Sequence, residues 1–490
     1  MASEDTPLLV SDGELAHEAL YNRFSTSRKR VIVALVGCSA ILPMFVFHSL
    51  TSSLPSFPVP LTSFRFAHGS FIPCIPQIAA DLNSTGQIVS FAVSVLTCGV
   101  ALGSMLFATY SGFYGRRPMY LCCLPLHCLG SIGIGTAKTI PQLMIFRFVQ
   151  GFGTSGGIAV GGAVIGDIYK LTERGTAMGI FFAASLLGGA ISPVVGGWGA
   201  KYSSWRDVQL GLFFVGLFVF MGMLLLLPET SHPGTLGMDE SEDSESTAVE
   251  ERRYKWVWLN PFSCIWLLRS PNLLFVTIAS ATVLYTDNTL LVPIAYTLGA
   301  RYNITNEAII GACYFPMGLG NIIGAPLAGM LSDRIVIKWR KRRGGYWIQE
   351  DRLRVAVFGG ATLVPLSIVL CGFITHFVSG PLGLSLNLFC FFINGLGVYL
   401  VLSPSSAYLV DVVHSQSSQI LAASIGLRFL LLAIAVSGIL PSISHFGVLV
   451  TNTAVGMIAW GGFILLWLTV KYGDKMRAWV DVGYSTIETT

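Results

Sequence analysis

Four ionisable side chains lie within long apolar stretches of this sequence, where packing alone does not explain them. Asp287 is the only acid in the middle of such a stretch, and His127, Arg147 and Arg428 are its basic counterparts. Ionisable residues inside a membrane are costly and by default mark functional sites. A carboxyl group removed from water binds a proton more readily. We therefore predict that Asp287 carries a proton; a fixed ion pair with Arg428 and contact with a cationic substrate remain alternatives.

Arg147 has a polar neighbour on its own face of a helix. A charged residue in an apolar span costs about 2.5–3.5 kcal/mol of insertion free energy, so Arg147 needs a polar partner or water. Gln150 follows three residues later and shares that face. For His127, an interhelical hydrogen bond is the plainer interpretation.

Twelve apolar stretches carry these residues, and each is near the length of about 20 residues that crosses a bilayer. Hydrophobic residues make up 53% of the 490-residue chain, charged residues 11%, and the mean hydropathy is +0.67. Because an open sheet edge cannot be satisfied in lipid, the spans should be helices. The sequence predicts an all-α integral membrane protein with twelve transmembrane helices. The spans are residues 31–48, 88–109, 119–137, 142–167, 175–199, 208–227, 273–299, 307–331, 354–376, 382–410, 418–446 and 449–471.

Lysine and arginine are unevenly divided between the loops. Of the 30 residues, 23 fall on the side that carries both termini, five on the other side, and two inside spans. The positive-inside rule then puts both termini in the cytosol. Two glycosylation sequons, at Asn83 and Asn303, fall in loops on the outer side. The net charge of +4 is therefore a signal of topology and predicts no nucleic-acid partner.

An acidic, serine-containing segment at 230–271 divides the chain. Such a composition cannot bury a core, which predicts a solvated cytosolic linker. The linker separates two six-helix bundles, 31–229 and 272–471, and the cytosolic tails are 1–30 and 472–490.

Residues 48–68 are anomalous within the first bundle. Three prolines and Arg65 preclude a continuous membrane helix there, while 69–82 resembles the outer end of the first helix. The segment is either an excursion on the outer side or an insertion that does not belong to the native protein, and we favour the second. We expect its deletion to leave folding and transport intact.

Four short motifs combine glycine with charged residues or proline at fixed spacing. They are Gly115, Arg116 and Arg117 after the second span; Arg147, Gln150 and Gly151 in the fourth; Gly179, Gly188, Pro193, Gly196 and Gly197 in the fifth; and Gly329, Asp333 and Arg334 after the eighth. Together these motifs resemble the signatures of the major facilitator superfamily, specifically its twelve-span drug:proton antiporter family of the fungal type, over residues 31–475.

The resemblance implies two pseudo-symmetric six-helix bundles that bind substrate between them near the membrane midplane. It implies that Arg147 couples protons or holds the fourth helix against its neighbours. The loop motifs imply cytosolic gates, although Gly112 stands where the family has an acid. In this family the pattern of the fifth span marks exporters; tight packing without directional meaning is the alternative.

The function implied is a proton-coupled secondary transporter that exports a small organic compound (a drug, organic acid, polyamine or amphiphilic secondary metabolite) by alternating access. A proton symporter that imports a small nutrient, or a vacuolar sequestration transporter, is the alternative. The sequence has no phosphate-binding loop, no convergent catalytic groups, and ten cysteines without metal-ligand spacing. We therefore expect no enzyme and no cofactor, but a monomer whose partners are substrate, protons and the lipid bilayer.

The N-terminal tail carries Glu4, Leu8 and Leu9, which match an acidic dileucine sorting signal. We expect the protein in the plasma membrane. The vacuolar membrane is the alternative that this signal would favour.

Overall fold

The structure is a computed structural model that describes residues 23–47, 75–169, 181, 185, 204–231, 257–304, 307–344, 346, 348–413 and 417–480. Within these ranges the regular structure is helical and no β-strand occurs. This agrees with the predicted all-α class, because a helix satisfies its backbone hydrogen bonds within one segment.

Among the described residues, six α-helices belong to the first half of the chain. They are α1 (Thr26–Phe47), α2 (Ile75–Asp81), α3 (Gly86–Tyr114), α4 (Arg116–Gly135), α5 (Ile140–Ile168) and α6 (Trp205–Leu226). Local signals explain two of the starts. The Thr85 side chain caps α3, and Ser204 with Asp207 forms a capping box at α6.

The described residues of the second half form eight α-helices. They are α7 (Pro271–Leu291), α8 (Glu307–Ala312), α9 (Phe315–Arg342), α10 (Leu353–Phe358), α11 (Val364–Phe377), α12 (Gly380–Val412), α13 (Ser417–Ser437) and α14 (Ile439–Trp479). A π-helical turn at Ala295–Gly299 follows α7, and another at Gly359–Leu363 joins α10 to α11. Such π turns inside membrane helices mark local irregularities of the backbone ladder.

Nine helices in the described part of the chain are long and apolar enough to cross a membrane. Of the other three predicted spans, the first corresponds to α1 and the eighth to α8 and α9, while only Phe181 and Ser185 of the fifth are described. The described helices are therefore consistent with twelve spans. Gly447 (φ 80°) breaks α14 between the predicted eleventh and twelfth spans.

Some helices run beyond the apolar stretches that predicted them. The α9 helix ends at Arg342 and α14 at Trp479, whereas the corresponding predictions ended at 331 and 471. Hydropathy falls where lysine and arginine begin, but these residues are good helix formers, so the helices continue.

Glycines bring the helices of the first half into backbone contact. A Cβ on Gly99 of α3 would lie 2.5 Å from the carbonyl oxygen of Phe148 on α5, and one on Gly151 would lie 2.3 Å from that of Leu96. Small residues allow such close packing in lipid. Between the halves, α3 packs along α13, and the side chains of Gln87 and Ser444 share a hydrogen bond of 3.0 Å.

Several predictions fall outside the described residues. These are the fifth-span motif (Gly179, Gly188, Pro193, Gly196, Gly197), the insert at 48–68, the sorting signal (Glu4, Leu8, Leu9) and most of the acidic linker. The sequon residues Asn83 and Asn303 are described. Both are exposed, at turns where the backbone has positive φ (48° and 54°), a conformation that asparagine tolerates.

Candidate functional site

Arg147 belongs to a buried hydrogen-bonded network that joins three helices of the first half. Its Nη1 donates to Oε1 of Gln150 at 2.9 Å. Gln150 Nε2 in turn donates to Ser131 Oγ on α4 at 3.0 Å and to Gln209 Oε1 on α6 at 3.1 Å. All four side chains are at most 2% exposed. The network ties α4, α5 and α6 together, so the predicted pairing of Arg147 with Gln150 is present.

Gln209 and Ser131 were not predicted from the sequence. A glutamine in an otherwise apolar stretch was the available signal for Gln209. Ser131 can reach Gln150 because Gly130 lets α4 approach α5, and a Cβ on Gly130 would lie 2.5 Å from the Gln150 backbone nitrogen. The two residues turn an intrahelical pair into a contact between helices.

His127 lies inside the first half, fully buried between α4 and α6. A Cβ on Gly216 of α6 would lie 2.6 Å from its Cδ2 atom and 2.9 Å from Nε2. The backbone of Leu212 on α6 also lies close to the imidazole ring. His127 therefore lies where α4 packs against α6.

Asp287 and Arg428 are buried on two helices of the second half, each near the same tyrosine. Asp287 on α7 is 1% exposed and Arg428 on α13 is 8% exposed. Tyr399 on α12 lies within electrostatic reach of both side chains. Arg428 Nε also donates to the Ser424 carbonyl oxygen at 3.2 Å. Tyr399 thus links the acid and its predicted counterion, which lie on different helices.

Uncharged polar residues surround this site. Thr277 of α7 donates its hydroxyl to Ser424 Oγ at 3.1 Å. Asn394 of α12 donates to Ser367 Oγ at 2.9 Å and lies 3.5 Å from the hydroxyl of Thr286, the residue before Asp287. Such groups can stabilise a charge in a dry environment, because a fixed dipole replaces the lost water.

At the predicted cytosolic ends, the two halves form related ion pairs. Arg116 at the start of α4 binds Asp167 near the end of α5 (Nε to Oδ2, 2.9 Å). Arg352, just before α10, binds Asp411 near the end of α12, and also Asp333 of α9 at 3.0 Å. Each half thus joins its third and fourth spans in the same way.

In the second half the arginine binds a second acid, Asp333, which has no counterpart among the described residues of the first half. Gly112 occupies the place of the family acid, and a Cβ there would meet no atom within 4 Å. Gly329 is equally open, and Arg334 is exposed. The two clusters at the predicted cytosolic ends are therefore asymmetric, with Asp333 in one and open space in the other.

The turn at Gly115 holds a carboxylate that sequence reasoning missed. The backbone N–H groups of Arg116 and Arg117 donate to Oε1 and Oε2 of Glu229 at 2.9 and 3.1 Å. Gly115 has φ 97°, and a Cβ on it would lie 2.7 Å from Glu229 Oε2. Arg117 also donates to the Leu224 carbonyl oxygen at 2.9 Å. The motif at Gly115–Arg117 therefore binds the C-terminal end of α6 and the Glu229 that follows it.

Glu350, just before α10, is a buried carboxylate of the second half. It is 3% exposed and pairs with Arg477 of α14. Tyr408 of α12 donates to it at 3.3 Å, and Asn272 at the start of α7 donates to the Tyr408 hydroxyl at 3.0 Å. In the described residues, no group of three or more His, Cys, Asp or Glu could hold a metal ion.

Comparison with known proteins agrees with this architecture. The family model described as Major Facilitator Superfamily matches residues 61–436. "Efflux pump radE" of Floropilus chiversii is 26% identical over 441 residues, 87% of this chain and 80% of its own. "Citrate exporter 1" of Aspergillus niger is 25% identical over 326 residues, 63% of this chain and 58% of its own.

The solved structure of the human organic anion transporter MFSD10 (TETRAN) has the same fold. It superposes with a TM-score of 0.56 at 17% identity and covers 89% of this chain and 99% of its own. The helical architecture and the match over most of the sequence lead to one conclusion: the chain is a multi-pass membrane transporter, not an enzyme, and belongs to the Major Facilitator Superfamily.

Proposed function

We propose that this transporter exports a small organic compound in exchange for protons, by alternating access of a site between its two halves. Relatives named as an efflux pump and a citrate exporter support export. Organic acids and amphiphilic secondary metabolites are the compounds to test first; drugs and polyamines follow. Both termini lie in the cytosol and the plasma membrane is the proposed location, with Asn83 and Asn303 as glycosylation sites on the outer side.

The observation that carries the proposal is that Asp287 of α7 and Arg428 of α13 are both buried and both lie within electrostatic reach of Tyr399 of α12. When ionised, Asp287 attracts the Arg428 guanidinium and holds α7 towards α13. A proton on Asp287 removes that attraction and leaves the two helices free to separate. Because the attraction is strong in a dry interior, one proton changes the relative stability of two helix arrangements.

Other residues have supporting roles in this proposal. Arg147 orders the network of Gln150, Ser131 and Gln209, and so keeps the first half rigid while the second responds to the proton. His127 stabilises the contact with α6. The ion pairs of Arg116 and Arg352 hold the third and fourth spans of each half together at the cytosolic ends.

The test uses purified transporter in sealed vesicles, with efflux followed under an imposed pH gradient. Asp287→Asn keeps the shape of the side chain but cannot ionise. It should abolish gradient-driven transport and leave substrate binding and exchange largely intact. Asp207→Asn at the outer end of α6 is the matched control and should retain transport.

Full gradient-driven transport by Asp287→Asn would remove this residue from the coupling mechanism. Movement of substrate in the same direction as the protons would instead establish the symporter. Localisation of a tagged protein with Leu8 and Leu9 changed to alanine would separate the plasma membrane from the vacuolar alternative.

A further inference from the structure

One exposed face of α9 is apolar along most of the helix and basic at its end. The apolar part contains Phe315, Leu319, Ile323 and Met330, which are 39–54% exposed. Their spacing of four, four and seven residues keeps them on one side of an α-helix. In a transmembrane helix, an exposed apolar stripe is suited to contact with lipid acyl chains.

The basic residues continue the same stripe. Arg334, Ile337 and Lys341 follow Met330 by four, seven and eleven positions, which puts them within about 40° of its direction around the helix. All three are exposed, and Lys338 is exposed at the edge of the stripe. Arg334 and Lys341 therefore lie on the exposed apolar side of α9, beyond its last apolar turns.

The length of α9 puts these cations at the level of the lipid headgroups. Its 28 residues span about 42 Å, whereas the hydrocarbon layer is about 30 Å thick. The last turns of the helix must therefore leave the hydrocarbon. Arg334 and Lys341 are separated by about 10 Å along the axis, and Lys338 lies between them, about 6 Å from Arg334, which is close to the depth of one headgroup layer.

The surrounding contacts hold the helix end in place without using these cations. Asp333, the neighbour of Arg334, binds Arg352 at 3.0 Å. On the protected side, the Trp339 ring packs under the guanidinium of Arg354 at 3.9 Å from its centroid, and Asp351 pairs with Arg343. The stripe is thus presented by an anchored helix.

We propose that Arg334 and Lys341, with Lys338 at the edge, bind the headgroup of an anionic phospholipid of the inner leaflet, whose acyl chain lies along Ile323 and Met330. The negative surface of the cytosolic leaflet attracts juxtamembrane lysine and arginine. The anionic headgroup interacts with the cations, and Ile337 fills the space between them. This site is independent of the transported compound and of proton coupling.

The test is native mass spectrometry of the full-length protein released from bilayers of equal phosphatidylserine and phosphatidylcholine. The readout is the ratio of the two lipids that remain bound. Arg334→Gln/Lys341→Gln should lower this ratio by roughly tenfold or more, since each cation near an anionic surface contributes several-fold. Arg334→Lys/Lys341→Arg keeps both charges and should retain the phosphatidylserine.

Arg30→Gln/Lys475→Gln is the matched control, because it removes two exposed cations elsewhere on the predicted cytosolic side. An unchanged ratio in this control, together with the loss in the α9 variant, supports the site. Equal losses in the two variants would show a general effect of net charge and overturn the proposal, as would an unchanged ratio in the α9 variant.

Discussion

Neutralising Glu229 should destabilise the first half of the transporter, because this carboxylate caps a helix from which it is distant in sequence. Glu229 follows α6 and lies at the N-terminus of α4. The cap position of α4 is Gly115, which has no side chain to accept the first backbone N–H groups. Glu229 supplies both the acceptors and the negative charge that a helix N-terminus favours.

The expected loss follows from the contacts. Oε2 accepts from the Arg117 N–H, and Oε1 accepts from the backbone N–H groups of Arg116, Thr230 and Ser231. Glu229→Gln replaces one oxygen by an NH2 group, so one charged hydrogen bond is lost and the others become neutral. Together with the lost charge at the helix end, the free energy of unfolding should fall by about 2–3 kcal/mol.

The measurement is reversible denaturation in mixed micelles, followed by tryptophan fluorescence. Asp207→Asn is the control, since the capping box of α6 is local and asparagine can still accept its hydrogen bond. Its loss should stay below about 1 kcal/mol. Gly115→Ala should also destabilise, because alanine would adopt φ 97° and approach the Glu229 carboxylate.

The double variant Gly115→Ala/Glu229→Gln distinguishes this explanation from two unrelated defects. Both changes disturb one contact, so their combined loss should be smaller than the sum of the separate losses. Additive losses, or a Glu229→Gln protein as stable as the wild type, would refute the capping role.

Two further predictions concern the predicted outer end and the interior of the first half. Hydrogen bonds from Arg206 and Trp205 lower the pKa of Asp81 below its ordinary value of 3.8. The stabilisation from these bonds is therefore complete above pH 3.8 and is lost as the pH falls through the lowered pKa. Thermal stability measured against pH should show this acid-dependent loss in the wild type and not in Asp81→Asn. Gln209→Leu should destabilise by about 1–3 kcal/mol because it leaves Gln150 Nε2 with one acceptor fewer in a buried network, whereas Gln209→Glu keeps an acceptor oxygen and should recover part of the loss under the same denaturation assay.

The membrane class and the family can be read from the sequence alone. Long apolar stretches need no tertiary information to be recognised, and a bilayer converts them directly into helices. Short-range pairs were equally accessible. Arg147 and Gln150 are three residues apart, and that spacing alone puts them on one face of a helix.

Contacts between residues that are distant in sequence depend on the tertiary structure. Glu229 reaches the α4 terminus across 113 positions of sequence, and Gln209 joins Gln150 across 59. It also places His127 against α6 in the first half, whereas Asp287 and Arg428 lie in the second half near Tyr399. Helix periodicity reports the direction of a side chain on its own helix but not which helix lies opposite, because that depends on how closely glycines such as Gly130 and Gly216 let the backbones approach.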